Sequence, residues 1–263
     1  MLAVFRRGPS EWWHVGRWDV GAPSYEPGAW FRGRLYPRRC DVSPDGRWLA
    51  YFALKAGATW DVGDTYCAIS RLPWLTALAA WSTCGTWTRG FHFAEGEDRV
   101  WQIGEPDRGD AGAFRRRYGM RAVEAVQFCV ERRRGWRETP ESPQRDAGDL
   151  WDQRRNAELC RQQPGGEVAL FARSEGWPGG EWGGDAIEGL KVSYWLEASG
   201  DLWPLDDVQW ADWDEQGRLL VATRDGKLQI RRQRGPEAEV VFEHDLGRVE
   251  PAPGPAPAWA QQP

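Results

Sequence analysis

At 263 residues the chain can hold one large domain or two small ones, and its net charge of -5 is the small remainder of many acids set against many arginines. That balance argues against a nucleic-acid-binding protein, which would carry a basic excess, and against a supercharged tail. Lysine is confined to Lys55, Lys191 and Lys227.

The first segment alternates apolar or aromatic runs with turn residues: Leu2 to Phe5, Gly8-Pro9-Ser10, Trp12 to Val20, a Gly/Pro-rich loop, then Ala29 to Tyr36. These read as strands of a first or closing sheet. Cys40 to Leu54 follows as a hairpin. In Ser43-Pro44-Asp45-Gly46, proline has the preset φ of a type I turn, glycine takes the fourth position, and the serine hydroxyl can bond backbone across the bend. After the turn, Trp48, Ala50 and Phe52 alternate with Leu49, Tyr51 and Ala53, so both faces of the strand are apolar and both are expected to be covered. Thr65 to Ser70 supplies a third strand. Arg71 to Trp81 has features of helix and strand, and is read as a strand.

Gly90 to Phe93, an acidic turn at Glu95 to Asp98 and Arg99 to Ile103 repeat the order strand, turn, Arg, strand. Val126 to Cys129 opens another unit, echoed by Val208 to Ala211. The downstream copy runs on through Asp212 to Ala222, makes a second hairpin at Arg224-Asp225-Gly226-Lys227, and ends on Glu239 to Phe242. Strand starts near 40, 91, 127, 168 and 209 recur at the roughly 40- to 45-residue period of a propeller repeat. The fold expected is all-β: a β-propeller of five or six blades, mostly of four antiparallel strands, forming one domain over residues 1–250. Two stretches depart from it. About 137–166 is a polar insertion with a short helix expected from Asp149 to Gln162, stopped by Pro164-Gly165-Gly166. Residues 251–263 are a Pro/Ala-rich tail expected to be extended or disordered.

The run Val42-Ser43-Pro44-Asp45-Gly46-Arg47-Trp48-Leu49-Ala50-Tyr51 resembles the repeat shared by WD40-like and bacterial TolB-type β-propellers. The resemblance covers the central hairpin well and Val208 to Asp245 moderately. The Gly-His pair and the Trp-Asp closing the third strand of the full WD40 signature are missing; Trp18-Asp19, Trp60-Asp61, Trp151-Asp152 and Trp213-Asp214 fall at other phases. The resemblance implies a scaffold on which partners dock and carries over no functional residue, since the shared positions serve turns and packing.

The 19 tryptophans, spread from Trp12 to Trp259, suit repeated packing positions between sheets. Cys40, Cys67, Cys84, Cys129 and Cys160 form no C-x-x-C pair and read as reduced, buried thiols. His14, His92 and His244 have no ligand at metal spacing, so neither metal nor cofactor is expected. Asp41, Glu124 and Asp207 are the acids that a catalytic funnel could use, and the strand-end role is the commoner one for such residues. The clusters Arg115-Arg116-Arg117 with Arg121 and Arg132-Arg133-Arg134 with Arg137 are interleaved with Glu124, Glu131 and Glu138, which suits solvated faces or an acidic protein partner. Gly179 to Asp185 is glycine-rich but lacks the Lys-Ser/Thr of a phosphate loop. Its Trp182 and Asp185, with flanking Trp177, form the expected partner-binding loop.

The amino-terminal Met1 to Arg7 places its charges after a short apolar run, the reverse of a secretory signal, and no run approaches a membrane span. The expectation is a cytoplasmic, non-enzymatic scaffold that binds another protein and no membrane. The alternative is a carbohydrate-binding or glycoside-hydrolysing propeller.

Overall fold

A computed structural model describes residues 1–57, 61–87, 90–94, 100–122, 128–140, 142, 157–175 and 191–262. The chain divides into two compact units, Met1–Val126 with Val249–Pro263, and Gln127–Arg248.

The first unit opens with an antiparallel meander of β1 (Leu2–Arg7), β2 (Trp12–Asp19) and β3 (Ser24–Arg32). Its first turn closes through Gly8 N–H donating to Trp12 O at 2.8 Å. A larger sheet follows, from β4 (Arg34–Leu35), β5 (Asp41–Val42), β6 (Trp48–Leu54), β7 (Thr65–Arg71) and β8 (Ala79–Ser82). After β9 (Phe91–Ala94), β10 (Arg108–Gly109) adds to the β8 edge of that sheet, while β5 lies beside β6. The short helix α1 (Gly112–Arg117) leads to β11 (Gly119–Ala122), which pairs with β9.

The central hairpin forms for the local reasons its residues suggest. The Ser43 hydroxyl accepts from Trp48 N–H at 2.9 Å and donates to Asp45 Oδ1 at 2.6 Å, and Gly46 sits at φ +71. Burial would raise the Asp45 carboxyl, but Ser43, Tyr118, the Arg47 N–H and Arg117 outweigh it and hold it below the usual range. Strand β6 is buried on both faces, as its apolar run requires: Leu49, Tyr51 and Ala53 pack with Val15, Leu35 and Leu72, and Trp48 and Ala50 with Ile69, Phe114 and Met120. Each large apolar side chain among these, such as Leu49 or Ile69, contributes about 1.5–3 kcal/mol when taken out of water.

The second unit begins with the helical turn α2 (Cys129–Arg133). A five-stranded sheet follows in chain order: β12 (Arg137–Glu138), β13 (Ala157–Gln162), β14 (Ala169–Glu175), β15 (Lys191–Ala198) and β16 (Asp201–Pro204). Beside it, β17 (Val208–Trp213), β18 (Leu219–Thr223), β19 (Lys227–Arg234) and β20 (Glu237–Asp245) make a four-stranded meander. The two sheets share one core, in which Leu159, Leu170, Tyr194 and Leu196 meet Val208, Ala211, Trp213 and Val221.

The protein is therefore all-β, mostly strand with a few helical turns, and built from propeller-like antiparallel sheets. Five or six blades were expected; among the described residues there are four sheets of three or more strands, plus the β9–β11 pair. The expected start near 127 fails because Phe128 is left-handed at φ +53 and Cys129–Arg133 is helical. At 91, β9 finds its partner in β11, beyond α1, and among the described residues of the expected 99–103 strand Trp101 makes an isolated bridge to Met120 rather than a ladder with β9.

Two further expectations are corrected. Residues 72–78 form the connection between β7 and β8, around a cis Leu72–Pro73 peptide, and are not a strand. The helix expected from Asp149 to Gln162 is replaced over Ala157–Gln162 by β13; residues 143–156 lie outside the described residues. The tail has no regular structure from 251 to 257, then a 3-10 turn at Ala258–Gln261 that buries Ala260 fully.

Candidate functional site

In a sheet with one face on the core, the other is expected to be polar. The β12–β16 sheet departs from that pattern. Leu159, Leu170, Ala172, Tyr194 and Leu196 face the core, and the register sets Cys160, Phe171 and Trp195 side by side on the opposite face. Phe171 and Trp195 are both half-buried and stack with ring centroids 5.2 Å apart and planes 9° from parallel. The Arg173 guanidinium lies 5.4 Å from the Trp195 ring centroid. It is held by Glu158, whose Oε2 accepts from Arg173 Nε at 2.6 Å and whose Oε1 accepts the Thr139 hydroxyl at 3.0 Å. Glu158 is buried and Arg173 exposed, so a cross-strand carboxylate fixes a cation beside a half-buried ring. Burial pushes the Cys160 thiol up and Arg137 opposes it, so this neighbour is a neutral thiol. A preorganised aromatic and guanidinium surface of this kind can stack on an apolar side chain or on the C–H face of a sugar. Glu158, engaged by two partners, is a positioning group here.

A second polar cluster is structural. Asp212 on β17 is 1 % exposed. Its Oδ1 accepts from Arg161 Nη1 at 2.5 Å, Trp136 Nε1 at 3.0 Å and Trp213 N–H at 2.8 Å, while Arg134 Nε lies 3.2 Å from Oδ2. Arg161 Nη1 also donates to Trp213 O, and Trp213 Nε1 donates back to Arg161 O. The cluster joins β13 to β17 and ties in the chain around α2.

The third cluster is on β2. His14 is buried, stacked on Trp30 at 4.7 Å and edge-on to Tyr25. Desolvation lowers its pKa and Arg6 adds to that, against an upward pull from the Ala29 backbone. The folded protein thus holds His14 neutral, whereas the unfolded chain takes up a proton near the ordinary value of 6.5. Its contribution is complete above that pH and is lost as pH falls through the unfolded value toward the lower folded one. Urea unfolding of wild type and His14→Phe at about pH 7.5 and about pH 5.5 should show a smaller acid-side loss in the variant. Equal losses would contradict a buried neutral imidazole.

Asp41 on β5 is buried, its Oδ2 accepting from Phe93 N–H at 2.8 Å, while Asp207 precedes β17 and pairs with Arg231 at 3.0 Å. They lie in different units. Trp177, Trp182, Asp185 and Glu124 fall outside the described residues. The loop that bears the first three joins β14 to β15, the strands of Phe171 and Trp195. His92 is buried on β9 and His244 is half-buried on β20. Among the described residues no group of three His, Cys, Asp or Glu is placed to hold a metal.

The arginine clusters are engaged. Arg115 pairs with Glu105 at 2.7 Å and lies over Trp101, Arg117 pairs with Asp45 at 3.1 Å, Arg132 with Glu138 at 2.7 Å, and Arg134 with Asp212. Of the thiols, Cys40 and Cys67 are buried, but Cys160 is only half-buried and Cys84 is exposed, against expectation. Of the tryptophans, Trp18, Trp48, Trp81, Trp136 and Trp213 are buried, so tryptophan serves packing and also partly open surface such as Trp195. Among the described residues no helix is long and apolar enough to cross a membrane. Comparison with family profiles, with curated proteins and with solved structures finds no match to this chain.

Proposed function

We propose that the protein is a non-enzymatic interaction scaffold of WD40-like, TolB-type propeller kind, acting in the cytoplasm and docking another protein on the solvent face of the β12–β16 sheet. The observation that carries this reading is the stacked Phe171–Trp195 pair with Arg173 braced over it, on a face where the strand period calls for polar residues. Aromatic and arginine side chains dominate binding energy where proteins meet. This reading also assigns partner binding to Trp177, Trp182 and Asp185, which lie outside the described residues on the segment of chain between β14 and β15.

Affinity capture from the native cell tests it. Trp195→Ala and the double variant Trp177→Ala, Trp182→Ala should each lose a protein that the wild type retains. The loss expected for a central tryptophan is about 2 kcal/mol or more, roughly 30-fold in Kd. Melting temperatures should stay near wild type, since Trp195 is half-open. A half-exposed indole beside a fixed ion pair also suits a sugar ring, which keeps the carbohydrate-binding reading as the second one. A glycan array signal abolished by Trp195→Ala, with no stoichiometric protein captured, would put that reading first.

A further inference from the structure

Strand β20 is nine residues long, Glu-Ala-Glu-Val-Val-Phe-Glu-His-Asp, and pairs with β19 on one side; among the described residues no strand pairs with its other side. Residues 237 to 241 are all exposed, with Val240 at 47 % and Val241 at 38 %. The ladder slips between Ile230 and Arg231, which leaves Val241 opposite no β19 residue. A long edge with exposed valines is a template for another strand.

The charges decide which strand. An antiparallel copy of β20 laid about a two-fold axis through Val241 would match the apolar centres, Val240 against Phe242. The same register sets Glu237 against Asp245 and Glu239 against Glu243. Like charges directly opposite are destabilising, so the edge disfavours its own copy. A strand with basic residues flanking an apolar centre reverses every one of those pairs. Glu239 and Glu243 already bond Arg232 and Gln229 on the β19 side, which holds the two carboxylates in place.

We propose that the β20 edge is a strand-addition site for an extended segment of a partner protein, with Lys or Arg on both sides of a Val- or Ile-rich centre. Backbone pairing along Glu237 to Val241 supplies affinity, and the acids select charge and register. This surface is separate from the Phe171–Trp195 face, and neither reading depends on the other.

The probe is a fluorescent, end-blocked peptide of about nine residues with Arg and Lys flanking a Val-Ile centre. Two controls accompany it: the same peptide N-methylated on alternate backbone nitrogens, and a Glu-flanked counterpart. Anisotropy should show saturable binding of the basic peptide, weakened about tenfold or more by N-methylation and by the double variant Val240→Lys, Val241→Lys. If that variant is poorly folded, the N-methylated peptide on wild-type protein carries the test. The proposal is overturned if the basic peptide does not bind, or if the N-methylated or Glu-flanked peptide binds as well. It is also overturned if light scattering shows a dimer that Val240→Lys, Val241→Lys dissociates, since the occupant would then be a second copy. Because Trp195→Ala reads the other surface, none of these outcomes bears on the aromatic face.

Discussion

Asp212→Ala is expected to lower the unfolding free energy by about 3 kcal/mol, the lower end of the range for breaking a buried ion pair from one side. The lower end applies because Arg134 keeps about a third of its side chain in water and can partly recover its solvation, whereas Arg161 is 17 % exposed and Trp136 only 3 %. With the carboxylate gone, the Arg161 guanidinium retains Trp213 O but faces an unfilled site, and the Trp136 indole N–H is left without its acceptor. Asp212→Asn separates charge from hydrogen bonding. It keeps an acceptor for Trp136 and the Trp213 N–H while removing the charge, so its loss should be smaller, about 1–2 kcal/mol. Urea denaturation followed by tryptophan fluorescence, to which Trp136 and Trp213 of the cluster contribute among the 19 tryptophans, measures the loss. An Asp212→Ala protein as stable as wild type would show that the cluster does not hold the two sheets together.

That joint was hidden in the sequence for a physical reason. In Val208-Gln209-Trp210-Ala211-Asp212-Trp213, the acid lies two residues before the turn acid Asp214, which accepts from the N–H groups of Gln216 and Arg218. The pair reads as turn chemistry, and only Asp214 serves that role. The available signal was a carboxylate between Ala211 and Trp213 on an apolar strand, which demands a cation once it is buried. Its cations, Arg134 and Arg161, are brought up by long-range packing that spacing along the chain does not encode.

Elements specified locally were legible. The Ser43–Gly46 turn, the Arg224–Lys227 turn and the four strands from Val208 to Asp245 appear where turn residues and alternating runs put them. Elements specified by pairing were not. Ala157-Glu158-Leu159-Cys160-Arg161-Gln162 consists mainly of good helix formers, yet Ala157 and Leu159 alternate inward and six register pairs with β14 override the local preference. The blade count failed likewise, because a period in strand starts cannot say whether β9 will pair with the next strand or with one beyond a helix. Phe171 and Trp195 each sit on the outward phase of their strands, among Arg173, Lys191, Ser193 and Glu197. An aromatic at a polar phase is a readable signal, but that the two rings meet depends on a register across 24 residues of chain.

Gly217→Val should be strongly destabilising. Gly217 ends the Asp214-Glu215-Gln216 bend at φ +72, where a residue with a Cβ costs about 1–2 kcal/mol and a β-branched one more. A Cβ there would also meet Pro164 O at 2.5 Å, on the neighbouring turn whose Gln163 Nε2 donates to Gly217 O at 2.7 Å. Relieving that contact means shifting backbone, and overpacking of this kind adds about 1–3 kcal/mol. Gly235 has nearly the same conformation, φ +62, with nothing within 4 Å of a Cβ. Comparing Gly217→Ala with Gly235→Ala therefore cancels the conformational cost and leaves the steric one. Gly217→Ala is expected to be the less stable by about 1–3 kcal/mol in urea unfolding, and Gly217→Val to lose more still. Equal destabilisation of the two alanine variants would mean that the β13–β14 turn gives way freely, and that the backbone of Gly217, rather than its missing side chain, is what the site requires.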